Sequence, residues 1–474
     1  MSLSLQQLRS AGREPPLPLE LAIGSGQLKV EQWLRVLPGK RLVGRATLNN
    51  QSVLVKLFIA TGAERHWQRE REGVEALIAN KIPTPALIDG GSFETGGYYL
   101  LTAFLDDAST LQQQWEMLPD QTPANPIARE LLSQALVTIA SLHVAGLQQH
   151  DLHLGNFLRL DDQVYVIDGD AVESVSPGKP LPVKQIQANL KLFFAQLTPE
   201  WDAELESLLN SYLLHYPVHG LNRDLLLRET IAYRQHRLDE FLDKTLRDCS
   251  LFAVSRTPNR YTAVLRSESA ALASLLQDPD AAFNGPPLLK DGGSSTVTRV
   301  RVGDRDLVIK RYNIKSVGHW LSRFWRPSRA WHSWLAAHRL QFYGIATPAP
   351  LAMVEQRFGP LRKGAWLITE YCPGPDLIEY LGVDGRHIPD ERSAARLLRL
   401  FRQLMAVRIS HGDFKGNNIL WHADAPLLID LDAMRAHTKE SSWRVAWARD
   451  KARLLRNWPA DSPLAHWLGE NFPD

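Results

Sequence analysis

Two α+β domains in tandem are what this 474-residue sequence predicts, each a small β-rich part followed by a larger helical one. The first observation behind this is a duplicated loop. His150-Asp151-Leu152-His153-Leu154-Gly155-Asn156 leads to Val164-Tyr165-Val166-Ile167-Asp168, and His411-Gly412-Asp413-Phe414-Lys415-Gly416-Asn417-Asn418 leads to Leu427-Leu428-Ile429-Asp430. Asp151 and Asp413 are 262 residues apart, as are Asn156 and Asn418, and Asp168 and Asp430. Ile82-Pro83-Thr84-Pro85 is echoed by Ile345-Ala346-Thr347-Pro348 at an offset of 263. Near-constant offsets at four landmarks argue for two copies of one domain of about 230 residues, a period far too long for a solenoid. The second observation is order: strand-like alternation comes before helix-like periodicity in each copy. The expected domains are 1–243, with its parts at about 21–104 and 105–243, and 244–474, with parts at about 244–372 and 373–474.

In the first copy, residues 1–20 are polar and proline-containing and read as a loose arm. Glu31 to Phe58 alternates as consecutive strands, with a turn at Pro38-Gly39-Lys40. Lys56 stands inside the apolar strand Ser52 to Phe58. A cation there is costly unless an anion meets it. Ala63 to Asn80 reads as a helix with Trp67, Val74, Leu77 and Ile78 on its apolar stripe, and Glu70 and Glu72 as candidate partners for Lys56. Leu87-Ile88 and Tyr98 to Phe104 supply two more strands. Ala128 to His143 then places Leu131, Leu132, Ala135, Leu136, Ile139 and Leu142 on one helical face, leading directly into the loop that carries Asp151. Residues 183–244 are mostly helical in pattern.

The second copy opens with short strands at Phe252 to Val254 and Tyr261 to Val264. Lys290-Asp291-Gly292-Gly293-Ser294-Ser295-Thr296 is a glycine turn before the strand Val297 to Val302, suited to close backbone approach by phosphates through Gly292 and Gly293. Val308-Ile309-Lys310 repeats the strand lysine, Trp366 to Tyr371 the later strand, and Ala394 to Val407 the helix before the loop. Lys56 precedes Ile82 by 26 residues, whereas Lys310 precedes Ile345 by 35. The added segment, 311–334, is rich in Arg and Trp. Such a mixture suits an anionic, amphipathic surface; the alternative is tryptophans packed in a core with arginines reaching outward.

Composition excludes several classes. Cys249 and Cys372 stand far apart with no Cys-x-x-Cys, so neither a disulfide framework nor a structural zinc site is expected, and a reducing cytoplasm fits. The first 20 residues lack a basic head followed by an apolar core, and no apolar run is long enough to span a bilayer. Residues 1–240 carry 21 Lys+Arg against 28 Asp+Glu, and 241–474 carry 33 against 24. The basic second half implies an anionic partner, or else two oppositely charged halves docked together. No fold motif for nucleic-acid binding accompanies it, and none is expected to bind.

The loops themselves carry the chemistry. An Asp, an Asn five residues later and an apolar run ending in Asp form the ground plan of a phosphotransferase loop. One carboxylate meets the attacking hydroxyl, while an amide and a second carboxylate hold Mg²⁺ against the ATP phosphates.

On these residues the chain resembles the lipopolysaccharide core kinase (Kdo/WaaP) family, in both halves. The resemblance implies two bilobal protein-kinase-like domains, ATP and Mg²⁺ as cofactors, and transfer of phosphate to a heptose-type sugar hydroxyl of the inner core. In the first copy it implies Lys56 on the phosphates and Glu70 orienting it, Glu70 lying where kinase-like folds place the helix glutamate. Asp151 becomes the base, with Asn156 and Asp168 as metal ligands. In the second it implies Lys310, Asp413, Asn418 and Asp430 in the same roles, and Lys415 and His153 lie two residues after each base, within reach of the transferred phosphoryl. The implied partner is core oligosaccharide or a lipid-linked precursor. The implied location is the cytoplasm, with peripheral contact to the inner membrane through 311–334. Two departures bear on this. The position matching Glu70 is Ser333, which opens the alternative that the second copy is a regulatory pseudokinase. Neither copy has Phe-Gly after its metal-binding Asp, so Asp170 and Asp432 are read as loop carboxylates rather than extra ligands. A protein or other small-molecule acceptor is the remaining alternative, since catalytic parts do not encode the acceptor.

Overall fold

The structure, a computed structural model, describes residues 5–94, 96–285, 287–313, 327–358 and 361–473. The chain divides into two compact units of mixed α and β structure, Met1–Arg234 and Gln235–Asp474. The division falls inside the helix Arg223–Lys244, ahead of the 243/244 boundary expected from the sequence. The reason is packing: Leu238 and Leu242 are buried in the core of the second unit.

In the first unit the described residues form a six-stranded antiparallel sheet. Leu19–Ile23, Gly26–Leu37, Arg41–Leu48 and Gln51–Phe58 pair in chain order, followed by Tyr98–Ala103, with Leu87–Ser92 at the edge. Strict alternation of buried and half-buried positions along Arg41–Leu48 is the period-2 signature of a sheet with one apolar face. In the next strand Val53, Val55 and Leu57 are buried, so Lys56 projects from the other face. The described part of the stretch read as a loose arm contributes instead to this sheet's core. Leu8 and Leu19 are buried against Leu28, Val30 and Leu57, the Arg9 guanidinium donates to the Ile59 carbonyl, and the Trp33 indole donates to Pro15 O at 3.0 Å. The helix Ala63–Ala79 buries Glu70, Gly73, Val74 and Leu77, while Ile78, expected on its apolar stripe, is 46% exposed.

The helical part of the first unit is built on Pro126–Val144, capped by Asn125, whose Oδ1 accepts Ile127 N–H at 3.0 Å. Its predicted apolar face is buried and packs with Leu205–His215 and Val183–Phe194 around Phe193, Trp201, Leu209 and Tyr212.

The second unit has a seven-stranded antiparallel sheet among its described residues. Its order is Phe252–Thr257, Arg260–Leu265, Pro350–Phe358, Leu361–Glu370, Arg305–Tyr312, Ser295–Val302 and Leu288–Gly292. Lys310 again occupies the sixth place of an eight-residue strand, as Lys56 does in Gln51–Phe58. The helix Arg329–Phe342 is capped by Ser328, and Glu391–Ala406 by Asp390, whose carboxylate accepts Ser393 N–H at 3.0 Å. The latter helix buries Leu397, Leu400, Phe401 and Leu404 against Phe414, Trp447 and Phe472.

Candidate active site

In each unit the sheet lysine, the asparagine loop and the strand-end aspartate converge. In the first, Lys56 Nζ lies 2.5 Å from Glu70 Oε1 and 3.3 Å from Asp168 Oδ1. Glu70 is the helix carboxylate that turns inward; Glu72, the other candidate, is exposed. Glu70 also accepts the backbone N–H of Gly169 at 3.0 Å and of Asp170 at 3.3 Å. The helix sits so close to this turn that a Cβ on Gly73 would stand 2.0 Å from the Gly169 carbonyl oxygen. Burial alone raises the Asp168 pKa; the charges of Lys56 and Arg41 outweigh it and hold the carboxyl below its ordinary range.

The loop is fixed from within. Asn156 Nδ2 donates to the Asp151 carbonyl at 2.8 Å, and the Asn156 carbonyl accepts Ile167 N–H at 3.0 Å, tying the loop to the strand that delivers Asp168. That strand is itself anchored by Val166 N–H to Pro83 O at 2.8 Å. Asp168 has φ 69°, a left-handed conformation that aims its carboxylate at the lysine. Asp151 is mostly exposed, with His153 Nε2 3.5 Å away. Behind the loop, His143 lies between the Tyr212 hydroxyl and Asn189 Oδ1, both at 2.9 Å, and Asn189 donates to Gln149 O at 2.7 Å. Burial drives the His143 pKa down to about 4, so the ring is neutral at physiological pH.

The second unit repeats the backbone pattern. Asn418 Nδ2 donates to Asp413 O at 2.8 Å, Ile429 N–H to Asn418 O at 3.0 Å, and Leu428 N–H to Ala346 O at 3.0 Å. Asp430 has φ 58°. The side chains around the lysine differ. Lys310 Nζ contacts Asp430 Oδ1 at 2.5 Å and Asp432 Oδ1 at 2.9 Å, and Lys290 stands 3.8 Å from the other Asp430 oxygen. Burial opposes the charge on Lys310, but Tyr312, Asp432 and Asp430 together leave its pKa above the ordinary value. Burial likewise opposes ionisation of Asp430, and Lys310 and Lys290 reverse the sign, so its pKa is lowered. Asp413 is held by Arg453 at 2.5 Å and Lys415 at 3.3 Å. Asp450, buried on the helix Glu440–Leu455, accepts the N–H groups of His411 at 2.7 Å and Gly412 at 3.0 Å and so sets the entry to this loop.

A cavity of about 540 Å³ opens in front of these groups. Its polar lining includes Lys290, Lys310, Lys415, Asn418 and Asp430, and its apolar lining Val297, Val308, Leu367, Leu420 and Ile429. Thr369, Glu370 and Tyr371, at the end of the Leu361–Glu370 strand, line its edge. Gly293 lies in the hairpin turn that joins Leu288–Gly292 to Ser295–Val302; neither it nor Gly292 lines this cavity, and the Gly292 carbonyl accepts Asn313 Nδ2 at 2.9 Å.

Residues 289–464 match the lipopolysaccharide kinase (Kdo/WaaP) family. The match lies within the second unit and contains Lys290, Lys310, Asp413, Asn418 and Asp430, so the resemblance read from the sequence is borne out there. No curated protein matches the chain by sequence. Among solved structures, the chain is similar to WaaP in complex with acyl carrier protein, with a TM-score of 0.32 and 16% identity over 44% of this chain and 88% of that one. It is also similar to vaccinia related kinase 3, with a TM-score of 0.28 and 13% identity over 53% of this chain and 81% of that one.

Within residues 289–464 the structure revises the reading of one residue and adds another. Asp432 belongs to the lysine's own surroundings and is not a plain loop carboxylate. Its position two residues after Asp430 was a signal, but Asp170 has the same spacing and meets Arg69 at 2.6 Å instead. Arg453 had no signal, lying on a helix distant in sequence. In the segment 311–334, residues 314–326 lie outside the described residues. Of the described aromatics, Trp334 is fully buried, and the half-buried Trp331 packs on Tyr261 at 5.0 Å. Arg311 pairs with Asp280 at 3.2 Å and Arg329 lies over the Tyr312 ring at 5.1 Å. For Trp334 the structure shows the packed-core alternative. No helix of the described residues is long and apolar enough to cross a membrane.

Proposed function

We propose that the chain is an ATP- and Mg²⁺-dependent kinase of the lipopolysaccharide core, with two tandem bilobal protein-kinase-like domains and a heptose-type sugar hydroxyl as acceptor. The observation that carries this reading is the constellation found twice: a sheet lysine within 3.3 Å of Asp168 and, in the second unit, within 2.5 Å of Asp430, each beside an asparagine that braces the loop aspartate. The family match supports the acceptor class for the second unit.

The residues present fit the nucleotide and its metal. A cavity of about 540 Å³ has the size of a small-ligand site, and its apolar lining suits a flat ring while Lys290, Lys310 and Lys415 line it too. Asn156 with Asp168, and Asn418 with Asp430, are pairs of hard oxygen donors, the type Mg²⁺ takes while keeping several waters. Bound Mg²⁺–ATP would supply the electrophilic γ-phosphoryl group and the neutralising charge. Each protein group then has a task. Lys56 and Lys310 would hold phosphate oxygens, and Asp151 and Asp413 would orient the acceptor hydroxyl and take its proton. Lys415 would place its ammonium beside the transferring phosphoryl group. Catalysis rests on positioning and charge, which is what phosphoryl transfer asks of a protein.

The reading with a regulatory second unit is favoured by one observation, Ser333 at the place of Glu70. Incubating the full chain with ATP and purified core oligosaccharide, and weighing the sugar product by mass spectrometry, tests the acceptor. Phosphate added to the sugar supports the proposal; phosphate added only to protein substrates moves the acceptor to the protein class. Peripheral association at the cytoplasmic face of the inner membrane is part of this proposal.

A further inference from the structure

We propose that Asp432 is a positioning residue that does in the second unit what Glu70 does in the first: it holds the strand lysine ready for the nucleotide phosphates. This rests on the kinase reading and deepens it, because it makes the second cleft competent despite the missing helix glutamate.

Three positions change together between the units. Glu70, fully buried, becomes Ser333, also buried. Phe58, two residues after Lys56, becomes Tyr312, two after Lys310. Arg69, which holds Asp170 at 2.6 Å, becomes His332, whose ring bonds to the Met434 carbonyl at 2.7 Å instead. The effect is to release the carboxylate two residues after the strand-end aspartate and turn it onto the lysine. Asp432 Oδ1 receives Lys310 at 2.9 Å, the Ser333 hydroxyl at 2.8 Å and the Tyr312 hydroxyl at 3.0 Å. Arg329 reaches its other oxygen at 3.7 Å.

A buried carboxylate with one cation and no other partner is expensive to keep; with four donors it is a fixed anchor. The hydroxyls of Ser333 and Tyr312 also touch each other at 3.1 Å, closing the set. Asp430 cannot serve as the lysine's lasting partner, because the kinase reading gives that carboxylate to the metal. Asp432 is then the carboxylate left to Lys310. In the first unit the lysine is tied to a helix; in the second it is tied to the turn that carries the strand-end aspartate. The Arg329–Phe342 helix acts on the lysine through Asp432, which its Ser333 and Arg329 brace, and not through a carboxylate of its own.

The test uses the full chain with Lys56→Met, which takes the first cleft out of nucleotide binding. Two readouts are followed: affinity for Mg²⁺–ATP, by displacement of a fluorescent ATP analogue, and kcat against KM for core oligosaccharide phosphorylation. Asp432→Asn is expected to weaken nucleotide affinity and to lower kcat on the order of 100-fold, with KM for the oligosaccharide unchanged. Adding Ser333→Glu and Tyr312→Phe rebuilds the first unit's arrangement and is expected to restore both. Nucleotide affinity and kcat unchanged in Asp432→Asn would overturn the inference, as would failure of the triple variant to recover while its thermal unfolding matches the parent. If the Lys56→Met parent itself binds no nucleotide, the kinase reading of the second unit fails and the inference with it, which is a different result from loss in Asp432→Asn alone.

Discussion

Arg453 reaches back 40 residues along the chain to Asp413, its Nη1 2.5 Å from Oδ1. Lys415 meets the other oxygen at 3.3 Å. Burial alone would raise the Asp413 pKa, but Lys415 and Arg453 outweigh it and hold the carboxyl below its ordinary range. Asp413, the base in the proposed reaction, therefore stays ionised further into acid than a free aspartate, and a bound acceptor would compete with two cations for it. Arg453→Ala removes one of them. The pKa of Asp413 then rises, and the acid limb of the pH profile of kcat moves to higher pH. An unmoved acid limb in a chain with the first cleft silenced by Asp151→Asn would show that Arg453 does not tune this carboxylate.

In the first unit Glu70 ties Lys56 at 2.5 Å and receives two backbone N–H groups from the turn after Asp168. Glu70→Gln keeps the shape but removes the charge, leaving Lys56 with Asp168. In a chain whose second cleft is silenced by Asp413→Asn, kcat is expected to fall on the order of 100-fold. Breaking this buried pair should also cost about 3 kcal/mol of stability, readable as a shift in urea midpoint.

The Gly73–Gly169 approach makes a steric prediction. A Cβ on Gly73 meets backbone oxygen at 2.0 Å, and backbone cannot step aside as a flexible side chain can. Gly73→Ala is expected to destabilise the first unit by about 3 kcal/mol or more and to separate Glu70 from the turn. The positions matching Gly73 and Gly169 in the second unit are Ala336 and Leu431, which both carry side chains.

His143 gives a pH dependence of stability. Its folded pKa of about 4 lies below the ordinary 6.5, so between these values the unfolded chain binds the extra proton. Stability should therefore fall as pH drops from about 6.5 towards 4. His338 acts in the same direction: burial lowers its pKa to about 3, and its ring is caged by Trp334 at 4.2 Å and Phe252 at 5.2 Å. His143→Gln can still accept from Tyr212 and donate to Asn189 without titrating. Its urea midpoint, followed between pH 4 and pH 6.5, should vary less than that of the wild type.

Much of the candidate site's arrangement was legible because its groups are tied to fixed spacings. The Asp-x₄-Asn loop is set by one hydrogen bond, amide to carbonyl, and a strand aspartate follows it, so the pattern survives as text. Lys56 and Lys310 stood out because a cation inside an apolar strand needs a reason. The lysine's partner in the second unit was not legible. A carboxylate two residues past Asp430 reads like any loop residue until Tyr312 and Ser333 are seen to share its oxygen. Arg453 was invisible for a different reason: its contact depends on how a distant helix packs, which local pattern does not encode. The first strand hid behind the prolines at 15, 16 and 18, which mask the burial of Leu8 and Leu19.

The most direct test follows labelled phosphate from γ-labelled ATP into purified core oligosaccharide, comparing wild type with Asp151→Ala/Asp413→Ala. The account predicts label on the sugar with wild type and its loss in the double variant, by about 10²- to 10⁴-fold, with nucleotide binding retained. Undiminished transfer by the double variant would contradict it.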